Sequence, residues 1–105
     1  MFDIDDTLIA SRDGQRIEKV YALYKQVKAR GYKIVIVTAR PVFETNVEWT
    51  KNQLRDNNIT YDELVFASAN DKGLYKRTSK YNFVLSVGDR DTDLTDSKYA
   101  IKISM

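Results

Sequence analysis

The chain has 105 residues, 43% hydrophobic and 30% charged, which fits one soluble domain over residues 1–105 and leaves no room for a second core. Seventeen basic against fifteen acidic residues leave a net charge of +2, too balanced to indicate a protein that coats nucleic acid or a membrane surface. With no Cys and no His, thiolate, imidazole and cysteine–histidine zinc chemistry are excluded, so any reaction must run on carboxylates, hydroxyls and Lys.

No apolar run approaches the roughly 20 residues a membrane-spanning helix needs, and the start lacks a secretion signal, which leaves the cytoplasm as the default location. Met1 to Ile4 reads as the end of a strand. Only two residues precede Asp3, against about five in an average strand, so this first strand reads as truncated. Arg16 to Arg30 spaces Ile17, Val20, Tyr21, Tyr24 and Val27 three and four apart, which predicts an amphipathic helix stopped by Gly31. Tyr32 to Thr38 is a near-continuous β-branched run between Gly31 and Pro41, as expected of a parallel strand buried on both faces.

Phe43, Val47 and Leu54 mark a second helix over Glu44 to Asp56, ended by Asn57 and Asn58, and Leu64 to Ala67 reads as the next strand. A short helix over Leu74 to Tyr81, a buried strand over Phe83 to Val87 running into Gly88 and Asp89, and a last strand over Tyr99 to Ile103 complete the pattern. Alternation of this kind predicts a three-layer α/β/α sandwich around a central parallel sheet, because parallel neighbours need crossover connections.

Ligand sites of open α/β sheets lie beyond the carboxyl ends of the strands, and three predicted strands end in Asp3-Ile4-Asp5, Thr38 and Gly88-Asp89. Asp3 and Asp5 could coordinate a hard cation and divide the roles of nucleophile and acid/base. Taken alone, the pair reads equally as loop carboxylates capping a helix. A second acidic cluster, Asp89 to Asp93, also has a bland reading as a solvated turn. Brought to the same edge, the two clusters would repel unless a cation lay between them, which points to magnesium.

These residues resemble the haloacid dehalogenase (HAD) superfamily. Asp3-Ile4-Asp5-Asp6-Thr7-Leu8 is similar to its first motif, Ile34 to Thr38 to its second, and Gly88-Asp89 through Asp93 to its fourth, Gly-Asp-x-x-x-Asp. Thr38-Ala39-Arg40-Pro41, Tyr75-Lys76 and Val87-Gly88-Asp89 look most like the acid phosphatase branch, subfamily III. For the third motif, a Lys before the fourth strand, Lys72, Lys76 and Lys80 compete. The Tyr-Lys pair favours Lys76, whereas a helix beginning at Gly73 would favour Lys72.

The resemblance implies a magnesium-dependent phosphomonoester hydrolase. Asp3 would take the phosphoryl group, Asp5 would act as general acid and base, and Thr38 and the motif lysine would hold phosphoryl oxygens. Magnesium would lie on the Asp3 carboxylate, the Asp5 main-chain carbonyl and Asp89, with Asp93 in support. Arg40, following Thr38, could reach substrate but reads equally as a surface ion-pair partner. Trp49 and the seven tyrosines read as core rather than as a base-stacking platform.

The chain leaves room for neither of the caps that many relatives insert after the first or second motif strand, so the site should be open to a phosphorylated substrate, including a macromolecular one. Competing readings are a polynucleotide-end (3′-phosphate) phosphatase, a catalytically silent binding protein and a phosphate-accepting signalling domain. The presence of both Asp3 and Asp5 argues against the silent protein, and Asp5 with the Gly-Asp-x-x-x-Asp motif argues for turnover against the signalling domain.

Overall fold

The computed structural model describes residues 1–104. In chain order these form helix α1 (Glu18–Ala29), strand β1 (Val35–Thr38), helix α2 (Glu44–Asp56), strand β2 (Glu63–Phe66), helix α3 (Lys72–Thr78), strand β3 (Leu85–Gly88) and strand β4 (Tyr99–Lys102). Single 3-10 turns at Ala69–Asp71 and Asp91–Asp93 precede α3 and follow β3. No helix among the described residues is long and apolar enough to cross a membrane.

The helix ends follow from local chemistry. α1 stops where Gly31 takes φ +84°, a conformation open to glycine at little cost. α2 stops at Asn57, whose main-chain and side-chain amides both donate to the Gln53 carbonyl, and Asn58 then turns the chain at φ +59°. Asparagine is among the few other residues that tolerate this region.

The four described strands pair in parallel, and one isolated antiparallel bridge joins Ile9 to Arg16. β1 pairs with β2 from Val35 opposite Glu63 to Thr38 opposite Phe66, and β3 with β4 from Leu85 opposite Tyr99 to Gly88 opposite Lys102. The continuous central sheet expected from the alternation is replaced by these two two-stranded sheets. Between them runs the segment Met1–Asp3, too short to form a ladder of its own. Phe2 makes one isolated parallel bridge to Ile36 and one to Val87. Its N–H donates to Val35, its carbonyl accepts from Val37, and on the other side Asp3 N–H donates to Val87.

The alternation of β1 distributes the core over two faces. Ile34 and Ile36 pack with Phe2, Val20, Tyr24, Leu54 and Val87, which brings α1 and α2 onto one side. Val35 and Val37 pack with Met1, and with Tyr75 of α3, Tyr81 and Phe83 against them on the other. Each fully buried Val, Leu or Ile contributes roughly 1.5–3 kcal/mol, so β1 holds both layers. β4 forms an outer edge with all four residues exposed. The arrangement aligns the ends of Met1–Asp3, β1 and β3 at one rim.

Candidate active site

At that rim lies a cleft of about 410 Å³ lined by Asp3, Asp5, Arg40, Lys72, Asp89 and Asp93 among others. Asp3 is anchored by the hydrogen bond of its own N–H to Val87 and is buried, with only 6% of its surface exposed. Its side chain accepts from the Thr7 hydroxyl at 3.2 Å and from the Lys72 amine at 2.9 Å. The same amine reaches Asp93 at 2.5 Å, so one buried lysine bridges carboxylates from opposite ends of the chain.

The loop after β3 brings Asp89 and Asp93 to Asp3. The tight approach requires Gly88, because a methyl there would overlap the Asp93 side chain. Asp93 is further held by the Arg90 N–H, which donates to its carboxylate at 3.2 Å within the 3-10 turn. Oxygens of Asp3, Asp89 and Asp93 lie within 4.8 Å of one another, close enough to hold a metal ion. Thr92, on the same turn, lines the cleft and carries a buried hydroxyl oxygen with no partner among the described residues.

Electrostatics make the same point. Burial, opposed by Lys72 but reinforced by Asp93 and by Asp89, which can accept a hydrogen bond from the protonated form, pushes the Asp3 carboxyl up to about 7. Burial pulls the Lys72 amine down, but Asp3 and Asp93 outweigh it and hold it above the ordinary lysine value. Three carboxylates with one ammonium leave an uncompensated charge of −2 when all are ionised, which is the complement of a divalent cation. An all-oxygen donor set around a small gap is the chemistry that hard cations such as magnesium select. The residues therefore fit the ion that the sequence motifs imply.

The remaining predicted residues occupy different places. Asp5 lies at the mouth of the cleft with its carboxylate turned to Arg40, whose Nε and Nη2 donate to its two oxygens at 3.0 and 2.8 Å. Thr38 is fully buried at the end of β1, and its hydroxyl accepts the Arg40 N–H at 3.2 Å, fixing the turn whose Ala39, Arg40 and Pro41 line the cleft.

Lys76 sits one turn after Lys72 and points away from Asp3. Its amine donates to the Ser86 hydroxyl at 3.1 Å and to the carbonyls of Asp93 and Thr95, both at 2.6 Å. Burial brings its amine down to about 8. Lys80 lies beyond the end of α3, beside the Tyr81 ring. The lysine in contact with Asp3 is thus Lys72. Thr7 was marked by the first motif, whereas the pairing of Arg40 with Asp5 carried no signal in the sequence beyond the position of Arg40 after Thr38.

Residues 6–105 match the family described as HAD superfamily, subfamily IIIB (Acid phosphatase). The match begins directly after Asp5, so it rests on the chain beyond the first two motif carboxylates. Among curated proteins and among solved structures, none matches the chain. With nearly the whole sequence matched, the chain belongs to the subfamily IIIB acid phosphatase family of the HAD superfamily.

Proposed function

We propose that this protein is a magnesium-dependent phosphomonoester hydrolase that works through an aspartyl-phosphate on Asp3. The observation that carries the reading is the buried Asp3 carboxylate at the cleft, held by Lys72 and flanked by Asp89 and Asp93, with Asp5 at the mouth. Family membership supports a phosphatase activity.

In the first half-reaction an Asp3 oxygen forms a bond to phosphorus while the ester P–O bond breaks, and Asp5 delivers a proton to the departing oxygen. In the second, Asp5 takes a proton from water as that water attacks phosphorus. The Asp3–phosphorus bond breaks, inorganic phosphate leaves and the carboxylate is restored. Lys72 orients Asp3 through its 2.9 Å contact and places positive charge beside the equatorial phosphoryl oxygens. The role of holding a further phosphoryl oxygen, given by sequence to Thr38, falls to the turn that its buried hydroxyl fixes, since Ala39, Arg40 and Pro41 line the cleft and Thr38 does not.

Asp3, Asp89, Asp93 and the Asp5 carbonyl would hold the magnesium, which when bound supplies charge neutralisation between the carboxylate and the anionic ester. The role given by sequence to Lys76 passes to Lys72, because Lys76 spends its amine on Ser86 and two main-chain carbonyls. The open cleft admits the phosphate group of a large substrate as readily as that of a small one.

Hydrolysis of an aryl phosphate, measured with magnesium and with chelator, tests the reading. Wild type should release phosphate only with magnesium, and Asp3→Asn should lose at least about a thousandfold of that rate while remaining folded. Equal rates for the two proteins would sink the assignment of Asp3 as nucleophile.

A further inference from the structure

We propose that Arg40 is a positioning residue that fixes the orientation of Asp5 for proton transfer, and that helix α2 holds Arg40 in place for this task. The inference rests on the phosphatase reading above and adds to it a residue that touches neither Asp3 nor Lys72 within hydrogen-bond distance among the described residues.

The geometry is a fork on a carboxylate. Nε and Nη2 of Arg40 each donate to a different oxygen of Asp5, at 3.0 and 2.8 Å, and two parallel charge-assisted bonds fix a plane as well as a distance. The two side chains are unequal in exposure: Asp5 is 43% exposed toward the cleft, whereas Arg40 is 9% exposed behind it. Each carboxylate oxygen offers about two lone-pair sites. Arg40 occupies one on each, which leaves the outward-facing site free to carry a proton toward the cleft.

Arg40 is itself immobilised from two directions. Its Nη1 donates to the hydroxyl of Thr50 at 3.1 Å, and Thr50 is fully buried in α2. The guanidinium carbon lies 5.0 Å from the centre of the Trp49 ring, within the range of a cation–π contact. Its own N–H is bonded to Thr38, so the main chain is pinned too. A residue clamped at this many points acts as a brace for the half-exposed carboxylate in front of it.

A brace on the acid/base predicts a dependence on the leaving group. An alkyl phosphate needs its departing oxygen protonated, whereas a nitrophenolate departs without help, and the comparison of kcat/KM reports the first half-reaction alone. Arg40→Ala should lower kcat/KM on an alkyl phosphate by about 10–100-fold, within the contribution of a positioned general acid, and on nitrophenyl phosphate by less than about threefold. Added guanidinium ion should restore part of the alkyl activity. Arg40→Lys, a point charge without the fork, should stay impaired.

Thr50→Val keeps the shape of the buried side chain and removes only the hydroxyl on Nη1, so it should show the same leaving-group bias at smaller size should Arg40→Ala fail to fold. Equal losses on both esters with a raised KM would make Arg40 a substrate-binding residue and overturn the proposal, as would the absence of any loss. Silence of the wild type on both esters removes the phosphatase reading and this inference with it.

Discussion

Lys72 and Lys76 lie on successive turns of α3, and their amines meet different partners. Among the described residues Lys72 is bonded only to carboxylates, those of Asp3 and Asp93, and Lys76 only to uncharged oxygens, the Ser86 hydroxyl and the main-chain carbonyls of Asp93 and Thr95. Removing each should therefore fail differently. Lys72→Met takes positive charge away from the site, and kcat on an aryl phosphate should fall by about 100–1,000-fold, the range of a lost charge-stabilising donor. Lys76→Met instead leaves buried carbonyls without a donor, at about 1–3 kcal/mol for each unsatisfied group. With two carbonyls orphaned it should lower Tm by at least about 8 °C and leave kcat of the folded protein within about tenfold of wild type. Melting curves and rates on the two variants separate the roles, and a large kcat loss in a stable Lys76→Met protein would return that lysine to the site.

At the scale of elements, the turn after β3 is the tightest piece of the site. Gly88 leaves no space between its α-carbon and the Asp93 side chain, so Gly88→Ala must push Asp93 aside and with it the Lys72 bridge. The variant should bind magnesium at least about tenfold more weakly than wild type by calorimetry, a modest loss for displacing one carboxylate of three. The same turn shows what could be read in the sequence. Gly88, Asp89 and Asp93 were legible from the Gly-Asp-x-x-x-Asp pattern after a predicted buried strand, β1 from its β-branched run and α2 from its periodicity. The start of α3 was not. The 3-10 turn Ala69–Asp71 runs directly into the helix at Lys72, two residues before the first apolar position Leu74, and that displacement decides which lysine faces Asp3. Nor was the division into two sheets legible, since Phe2 joins them only through isolated bridges to Ile36 and Val87 that no local pattern encodes. The Asp5–Arg40 pair joins residues from two connections after different strands, a contact that no local pattern encodes.

For the molecule as a whole, the site ties the two ends of the chain together, because Asp3 meets Asp89 and Asp93 across the gap between the two sheets. The repulsion among these carboxylates is thus a load on the entire fold, and its sign with pH can be worked out. Asp3 has an ordinary value of 3.8 and is raised to about 7 in the folded protein, by burial first and by Asp93 next. The folded state then binds more protons than the unfolded one across this interval, so stability falls as pH rises through it. The contribution is fully present below about 4 and lost above about 7. In chelator, Tm should decline between pH 5 and pH 7.5, and Asp3→Asn, which has nothing to titrate, should flatten that decline. On the function proposed above, magnesium would bind the folded state alone and favour the ionised trio, so it should raise Tm at pH 7.5 by more than at pH 5. At a concentration about 100 times its Kd it would add about 2.7 kcal/mol. A chelated protein whose Tm climbs over that interval, or a magnesium effect that is the same at both pH values, would mean that the trio does not carry this charge and that the cation, if it binds, is held elsewhere.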